Sequence, residues 1–185
     1  MAVQTGIARV GRCQRVGRPL DRRQDARLPG KLTRGREINA ASGDANPNDG
    51  RRQTFDQLYP TGHDKLGLAD QVGWKNIRDL RSIVELTPAR VGTVTASLHS
   101  WWLADTHDAL YNAAGTAVAR VPGGAVGSRV GRRNRRAGDA SAHPQVQLSA
   151  GIAHVFPAQF LDTVTPGANY TYPFVMVTYV FLAAK

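Results

Sequence analysis

A chain of 185 residues with 42% apolar content is long enough for one domain with a core. Its net charge of +10 raises nucleic acid as a partner, but the excess is local: residues 1–36 hold nine Arg and one Lys against two Asp, residues 127–143 hold five Arg against one Asp, and the remainder sums to −2. A single cysteine, Cys13, excludes an internal disulfide, the N-terminal stretch lacks the apolar segment of a secretory leader, and no stretch reaches the roughly 20 apolar residues of a membrane helix.

Residues 1–36 show neither helical nor strand periodicity and are dominated by Arg, Gly and Pro, so a disordered segment is expected there. A basic arm for nucleic acid or an anionic membrane is the functional alternative, but no aromatic residue is interleaved for base stacking. From Glu37, EINAASG reads as the end of a strand. It enters a long Asn-, Asp-, Gly- and Pro-rich run, Asp44 to Trp74, whose evenly spread aromatic and aliphatic residues argue for an ordered loop at the mouth of a β-barrel. Asp44, Asn46 and Asn48 have the opening spacing of a calcium loop, but Asp49 stands where glycine is needed and Phe55 where glutamate is needed. Asx turns are the expectation instead. Arg51, Arg52, Lys65 and Lys75 sit in or beside this loop, placed either to attract a polyanion or to pair with Asp49, Asp56, Asp64 and Asp70; KLGLADQVGW has the spacing of a helical turn.

Asn76 to Leu86 alternates, with Leu80, Ser82, Val84 and Leu86 on one side and Asp79, Arg81, Ile83 and Glu85 on the other. After the turn signal at Thr87–Arg90, Val94, Ala96 and Leu98 alternate with Thr93, Thr95, Ser97 and His99, which completes a hairpin with one apolar and one polar face. Trp101 and Trp102 end that strand. A second loop, Leu103 to Val126, holds Asp105, His107, Asp108 and Tyr111; the first three resemble a piece of a metal site but lack a further partner at ligand spacing. Residues 127–143 break the alternation where a strand is due. Gln145 to Ile152 resumes it, a further loop carries Pro157, Phe160 and Pro166-Gly167, and a final strong strand shows Val175, Val177, Tyr179 and Phe181 as one apolar face.

Three blocks, NPNDGRRQTFDQLYPTGHDKLGLADQVGW (46–74), HSWWLADTHDALYNAAG (99–115) and TPGANYTYPFVMVTYVFL (165–182), resemble the C-terminal part of alginate-export-type outer-membrane proteins. The similarity covers residues 37–126 and 144–183. It implies an all-β fold, an antiparallel up-and-down transmembrane barrel in the bacterial outer membrane, here a partial curved sheet with long loops. It also implies passage of an anionic, alginate-like polysaccharide or related solutes in place of catalysis. The implied partners are outer-membrane lipid, the polysaccharide and the remainder of a larger barrel, with no nucleic acid, cofactor or metal. Relatives have many more strands and a signal peptide, whereas about five or six strands are expected here. The chain therefore reads as the last third of a barrel, residues 37–185 with 127–143 aberrant, and such a piece with open edges in lipid is not expected to form a stable pore alone.

In place of 127–143, relatives carry an alternating strand of the type EIDVQAT. One choice of synonymous codons for Arg133–Ser141, CGA AAT CGA CGT GCA GGC GAC GCT TCG, yields EIDVQATL when the first base is removed, which suggests a local reading-frame disturbance. A polyuronate carries roughly one negative charge per sugar, so a conducting lumen needs fixed cations. Arg81 is the in-strand candidate, Arg51, Arg52 and Lys65 are candidates for an entry funnel, and Arg78 is assigned to the membrane boundary. Trp101, Trp102, Tyr172, Tyr179 and Phe181 are expected in the interfacial aromatic girdles. The competing readings are a basic nucleic-acid-binding protein and a non-functional truncated product. An enzyme is not expected, because no nucleophile elbow, phosphate loop or paired zinc ligands occur.

Overall fold

Alternation of apolar and polar residues becomes a single open, curved antiparallel sheet. A computed structural model describes residues 30–57, 66, 69–88, 92–143 and 145–181. Six long strands, β1 (Gly30–Ala41), β2 (Ile77–Pro88), β3 (Thr93–Leu103), β6 (Arg129–His143), β7 (Val146–Pro157) and β8 (Tyr170–Tyr179), lie in the order β1-β2-β3-β6-β7-β8. The small ribbon β4 (Leu110–Tyr111) with β5 (Ala117–Ala119) and one short helix, α1 (Gln159–Val164), are carried by the connections. Every neighbouring pair in the long sheet is antiparallel. The strands run 10 to 15 residues, which spans the ~9–11 that a tilted strand needs to cross a bilayer.

Two expectations about the Arg-rich segments change. The sheet begins at Gly30, seven residues before the expected start, and the charged stretch KLTRGRE is paired with β2 along its whole length. Residues 1–29, with most of the basic N-terminal run, lie outside the described residues. The segment expected to break the pattern, 127–143, instead supplies β6, paired on both sides with β3 and β7. Its flanking strands explain this. β3 and β7 each present a full edge, and an unpaired peptide edge between two buried neighbours costs more than the solvation of arginine side chains, which leave the backbone N–H and C=O groups free to join the ladder.

The two faces of the sheet differ. On one, Leu80, Val84, Val94, Leu98, Leu148, Ile152, Val175 and Val177 are exposed and uncovered. On the other, charged and polar residues are buried under the connections: Asn39, Asp79, Ser97, His99 and Arg133 all belong to this covered face. Register carries each face across strands. One row of the covered face reads Glu37, Arg81, His99, Arg133, Val155, Tyr170. A neighbouring row of the bare face reads Arg34, Val84, Ala96, Arg136, Ile152, Pro173.

The three long connections, 42–76, 104–128 and 158–169, all leave from the same end of the sheet, while the two connections at the other end, 89–92 and 144–145, are short. Gly92 sits in the first short one at φ +102, where an added Cβ would lie 2.0 Å from the Asp139 carbonyl oxygen. The apolar core lies at the long-loop end, where Ala41, Ile77, Trp101, Leu103, Val130 and Val155 from the strand ends meet Leu66, Val72 and Leu110 from the loops and Phe160 from α1. That helix stands in a stretch read from sequence as irregular. Six residues are too few for a periodic signal, and burial of Phe160 on the core is what holds them.

Candidate functional site: a charged face and the loops that cover it

The covered face is held together by short polar contacts. Asn39 Nδ2 donates to Asp79 Oδ2 at 3.2 Å, and His99 Nδ1 lies 3.0 Å from Asp79 Oδ1, on three adjacent strands. Arg81 Nη1 reaches Glu37 Oε2 at 3.6 Å. Ser149 Oγ donates to Asp139 Oδ1. Two guanidinium groups are engaged differently. Arg133 donates to the Leu66 carbonyl at 2.7 Å and lies 5.6 Å over the Trp101 ring, and Arg135 lies 4.9 Å over Phe174. Among the described residues neither has a carboxylate within ion-pair distance.

The loops are pinned over this face by two side chains. Asn76, fully buried at φ 48, donates from Nδ2 to the carbonyls of Asp105 and Ala109 and accepts from the Asp105 N–H at 2.7 Å. Asparagine suits this place because its short amide tolerates the left-handed region and can serve three backbone partners. Asp108, also buried, accepts from the Asp44 N–H, the Thr54 hydroxyl, the Ala109 N–H and the Tyr111 hydroxyl. Two of these four donors, the Asp44 N–H and the Thr54 hydroxyl, tie loop 42–76 to loop 104–128. Burial, and then the bond to Asp108, push the Tyr111 phenol above its usual value.

The Asx-turn reading of 44–50 holds: the Asn46 N–H bonds Asp44 Oδ1 at 3.1 Å, Asn48 N–H bonds Asn46 Oδ1 at 3.3 Å, and Arg51 N–H bonds Asp49 Oδ1 at 2.8 Å. Of the fragment Asp105-x-His107-Asp108, Asp105 Oδ1 accepts from the His107 N–H at 2.9 Å. Loop cohesion accounts for both acidic motifs.

Arg51 and Arg52 are exposed on the loop and line a recess of about 270 Å3 with Asp44, Asp108, Tyr111 and Arg120. Lys65 lies outside the described residues. Arg81 is on the covered face as expected, with its charge offset by Glu37. Arg78 is exposed on the bare face. The aromatic set divides. Trp102 shares the bare face with Arg78, and Tyr179 and Phe181 are exposed near the short-turn end. Trp101 and Tyr172 belong to the covered face, Trp101 only 4% exposed, because adjacent strand residues point oppositely and the core at the long-loop end claims this indole. Arg133, Arg135, His99 and Asn76 were not singled out from the sequence. Arg133 and Arg135 share the parity of a covered face, but with Arg132 and Arg136 flanking them the run shows no alternation.

An antiparallel sheet with strands of bilayer length, a bare apolar face, a charged face under inserted loops and long connections at one end is the wall of a transport β-barrel. The chain belongs to the alginate-export family: the family model described as Alginate export matches residues 28–175, a span that includes β6. That family comprises outer-membrane proteins of polysaccharide export and is a transport family, not an enzymatic one. Comparison with curated protein sequences finds no significant match.

Proposed function

We propose that this chain forms part of the wall and the inner plug of an outer-membrane channel through which an anionic, alginate-like polysaccharide or related solutes pass. The bare face meets lipid and the covered face meets the lumen. Both β1 and β8 have an edge without a partner strand among the described residues, and such an edge is not tolerated in hydrocarbon. Closure therefore uses further strands, and the working unit is a larger barrel. The observation that carries this reading is that the connections cover one face and leave the other bare: ten large aliphatic side chains are exposed on the bare face, while Asp79, His99 and Arg133 are buried beneath the loops.

Passage requires weak, repeated contacts and not a single tight site. Arg51, Arg52 and Arg120 at the loop surface attract the polymer. Arg81 and Arg135, both half-buried, offer planar donors suited to carboxylates, and the Glu37 partner of Arg81 keeps that contact weak. The test is titration of the full chain in detergent micelles with oligouronates and with neutral oligosaccharides of equal length. Uronate binding that weakens with salt and falls severalfold in Arg81→Gln/Arg135→Gln supports the reading. Equal binding of the neutral sugar contradicts it.

A further inference from the structure

The bare face carries an unbalanced charge. Every Asp and Glu of the six long strands, Glu37, Asp79, Glu85 and Asp139, falls in a covered-face row, whereas Arg34, Arg36, Arg78, Arg132 and Arg136 fall on the bare face. All five are exposed, and among the described residues none has a carboxylate within ion-pair distance. A cation that faces hydrocarbon is costly unless its side chain climbs to the membrane surface and meets an anion there. Level along the strands therefore decides which of the five can do so.

Register fixes the levels. Arg36, Leu98 and Asn134 share a row near the middle of the sheet, and Arg34 and Arg136 share the next row toward the short-turn end. Ser100 and Arg132 form the next row toward the long-loop end, and Arg78 and Trp102 the row beyond it. On strands tilted by about 40°, these last two rows stand roughly 5 and 10 Å above the middle one. The boundary of an apolar band about 25 Å tall lies roughly 12 Å from its midplane. Arg78 reaches that boundary directly, and Arg132 reaches it by leaning upward beside Trp102. Arg78 stands opposite Trp102 on β2 and Arg132 stands diagonally across from it on β6. Strand spacing puts the two arginine Cα atoms about 12 Å apart, with the indole between them. Toward the middle of the sheet the surface turns aliphatic, with Leu80, Val84 and Leu98 exposed. Cations at the boundary and hydrocarbon beneath them match an amphiphile. Among anionic headgroups, a phosphate monoester has enough oxygens to accept from two guanidinium forks at once.

Resting on the assignment of the bare face to lipid, we propose that Arg78 and Arg132 bind the phosphate monoester headgroup of a membrane lipid, with Trp102 at the interface between them and the acyl chains along Leu80, Val84 and Leu98. Long connections lie on the extracellular side of outer-membrane barrels, so the lipid belongs to the outer leaflet. The site fixes the depth of the wall in the membrane and lies apart from the covered face, where the polysaccharide passes. Arg34, Arg36 and Arg136, at or below the middle row, take no part in it.

The test is retention of dioleoyl phosphatidic acid against dioleoyl phosphatidylcholine by the full chain in detergent micelles, read by native mass spectrometry. The two lipids share their acyl chains and differ in the headgroup. Phosphatidic acid should be retained at least fivefold more, and soluble glycerol phosphate should not displace it. Arg78→Gln/Arg132→Gln should abolish most of this preference, whereas Arg34→Gln/Arg136→Gln, which removes the same charge at deeper levels, should keep it. Equal retention of the two lipids, or an equal loss in both double variants, overturns the proposal. Displacement by glycerol phosphate overturns it as well, and gives the arginines to a soluble anion. The headgroup comparison needs no variant, so a misfolded variant does not remove the test. Quenching of Trp102 by acyl-brominated phosphatidylcholine separates this site from the reading it rests on. Quenching without a headgroup preference removes the lipid site alone, and absence of quenching removes both.

Discussion

Five arginines, Arg34, Arg36, Arg78, Arg132 and Arg136, sit on the face that the account gives to lipid, and two of them are on β6. Arg132 lies between Ser100 and Phe156 on the bare face, and Arg136 lies between Ala96 and Ile152, both exposed. Asn134 between them pairs with Leu98, the middle residue of β3, so the bilayer midplane passes close to this part of β6. Two residues of a strand tilted by about 40° rise roughly 5 Å along the membrane normal, well inside an apolar band about 25 Å tall. Arginine facing lipid costs about 2–4 kcal/mol at the midplane and about 0–1 at the interface, which places each of these at about 1–3 kcal/mol. The pair are four residues apart and their effects should add, giving about 2–6 kcal/mol for Arg132→Leu/Arg136→Val. Urea titration of the membrane-bound state in short-chain phosphatidylcholine vesicles reads this as a raised midpoint at unchanged slope. An unchanged or lowered midpoint would refute the assignment of the bare face to lipid. Replacing Arg133 and Arg135 in the same way removes covered-face cations and should not raise it.

The loop anchor gives two further expectations. Asp108→Asn removes a charged acceptor shared by four donors, and the linked loops should open more readily by about 2–4 kcal/mol, seen as faster amide exchange at residues 44–54 with the strands unaffected. The Tyr111 phenol is raised by burial and by its bond to Asp108, so the fold favours the protonated form. Its contribution is complete below the ordinary phenol value near 10 and is lost as pH rises through the higher folded value, and the tyrosinate absorbance difference between the chain and Tyr111→Phe should therefore titrate above 10. Sequencing of the gene across codons 133–141 checks the frame disturbance. Bases that encode EIDVQAT in the neighbouring frame are expected, and their absence ends that idea.

Much of the sheet was legible because a half-buried strand writes its two environments into alternate residues. The β2–β3 hairpin, β7 and β8 have aliphatic residues at every second position, and their faces emerged with the expected residues on each side. β6 and the first half of β1 were not legible, since arginines on both faces erase the period and only the pairing edges of neighbouring strands specify them. The same register bears on the frame hypothesis. Reading EIDVQATL from position 133 would put isoleucine, valine, alanine and leucine at positions 134, 136, 138 and 140, all on the bare face, where Leu98, Ile152 and Leu148 stand on the adjacent strands. The polar anchors were half legible. Asx turns follow from local spacing, but the meeting of Asp44 with Asp108, 64 residues apart, depends on loops that only the paired strands bring together.

Trp101 and Trp102 report the two faces from adjacent positions in β3. Single-tryptophan variants of the full chain, made by replacing the other two tryptophans with phenylalanine, can be inserted into vesicles of acyl-brominated phosphatidylcholine and their fluorescence compared with unbrominated controls. The account predicts strong quenching of Trp102 and little of Trp101. Equal quenching, or quenching of Trp101 alone, would contradict a barrel wall with its apolar face in lipid and its charged face toward the lumen.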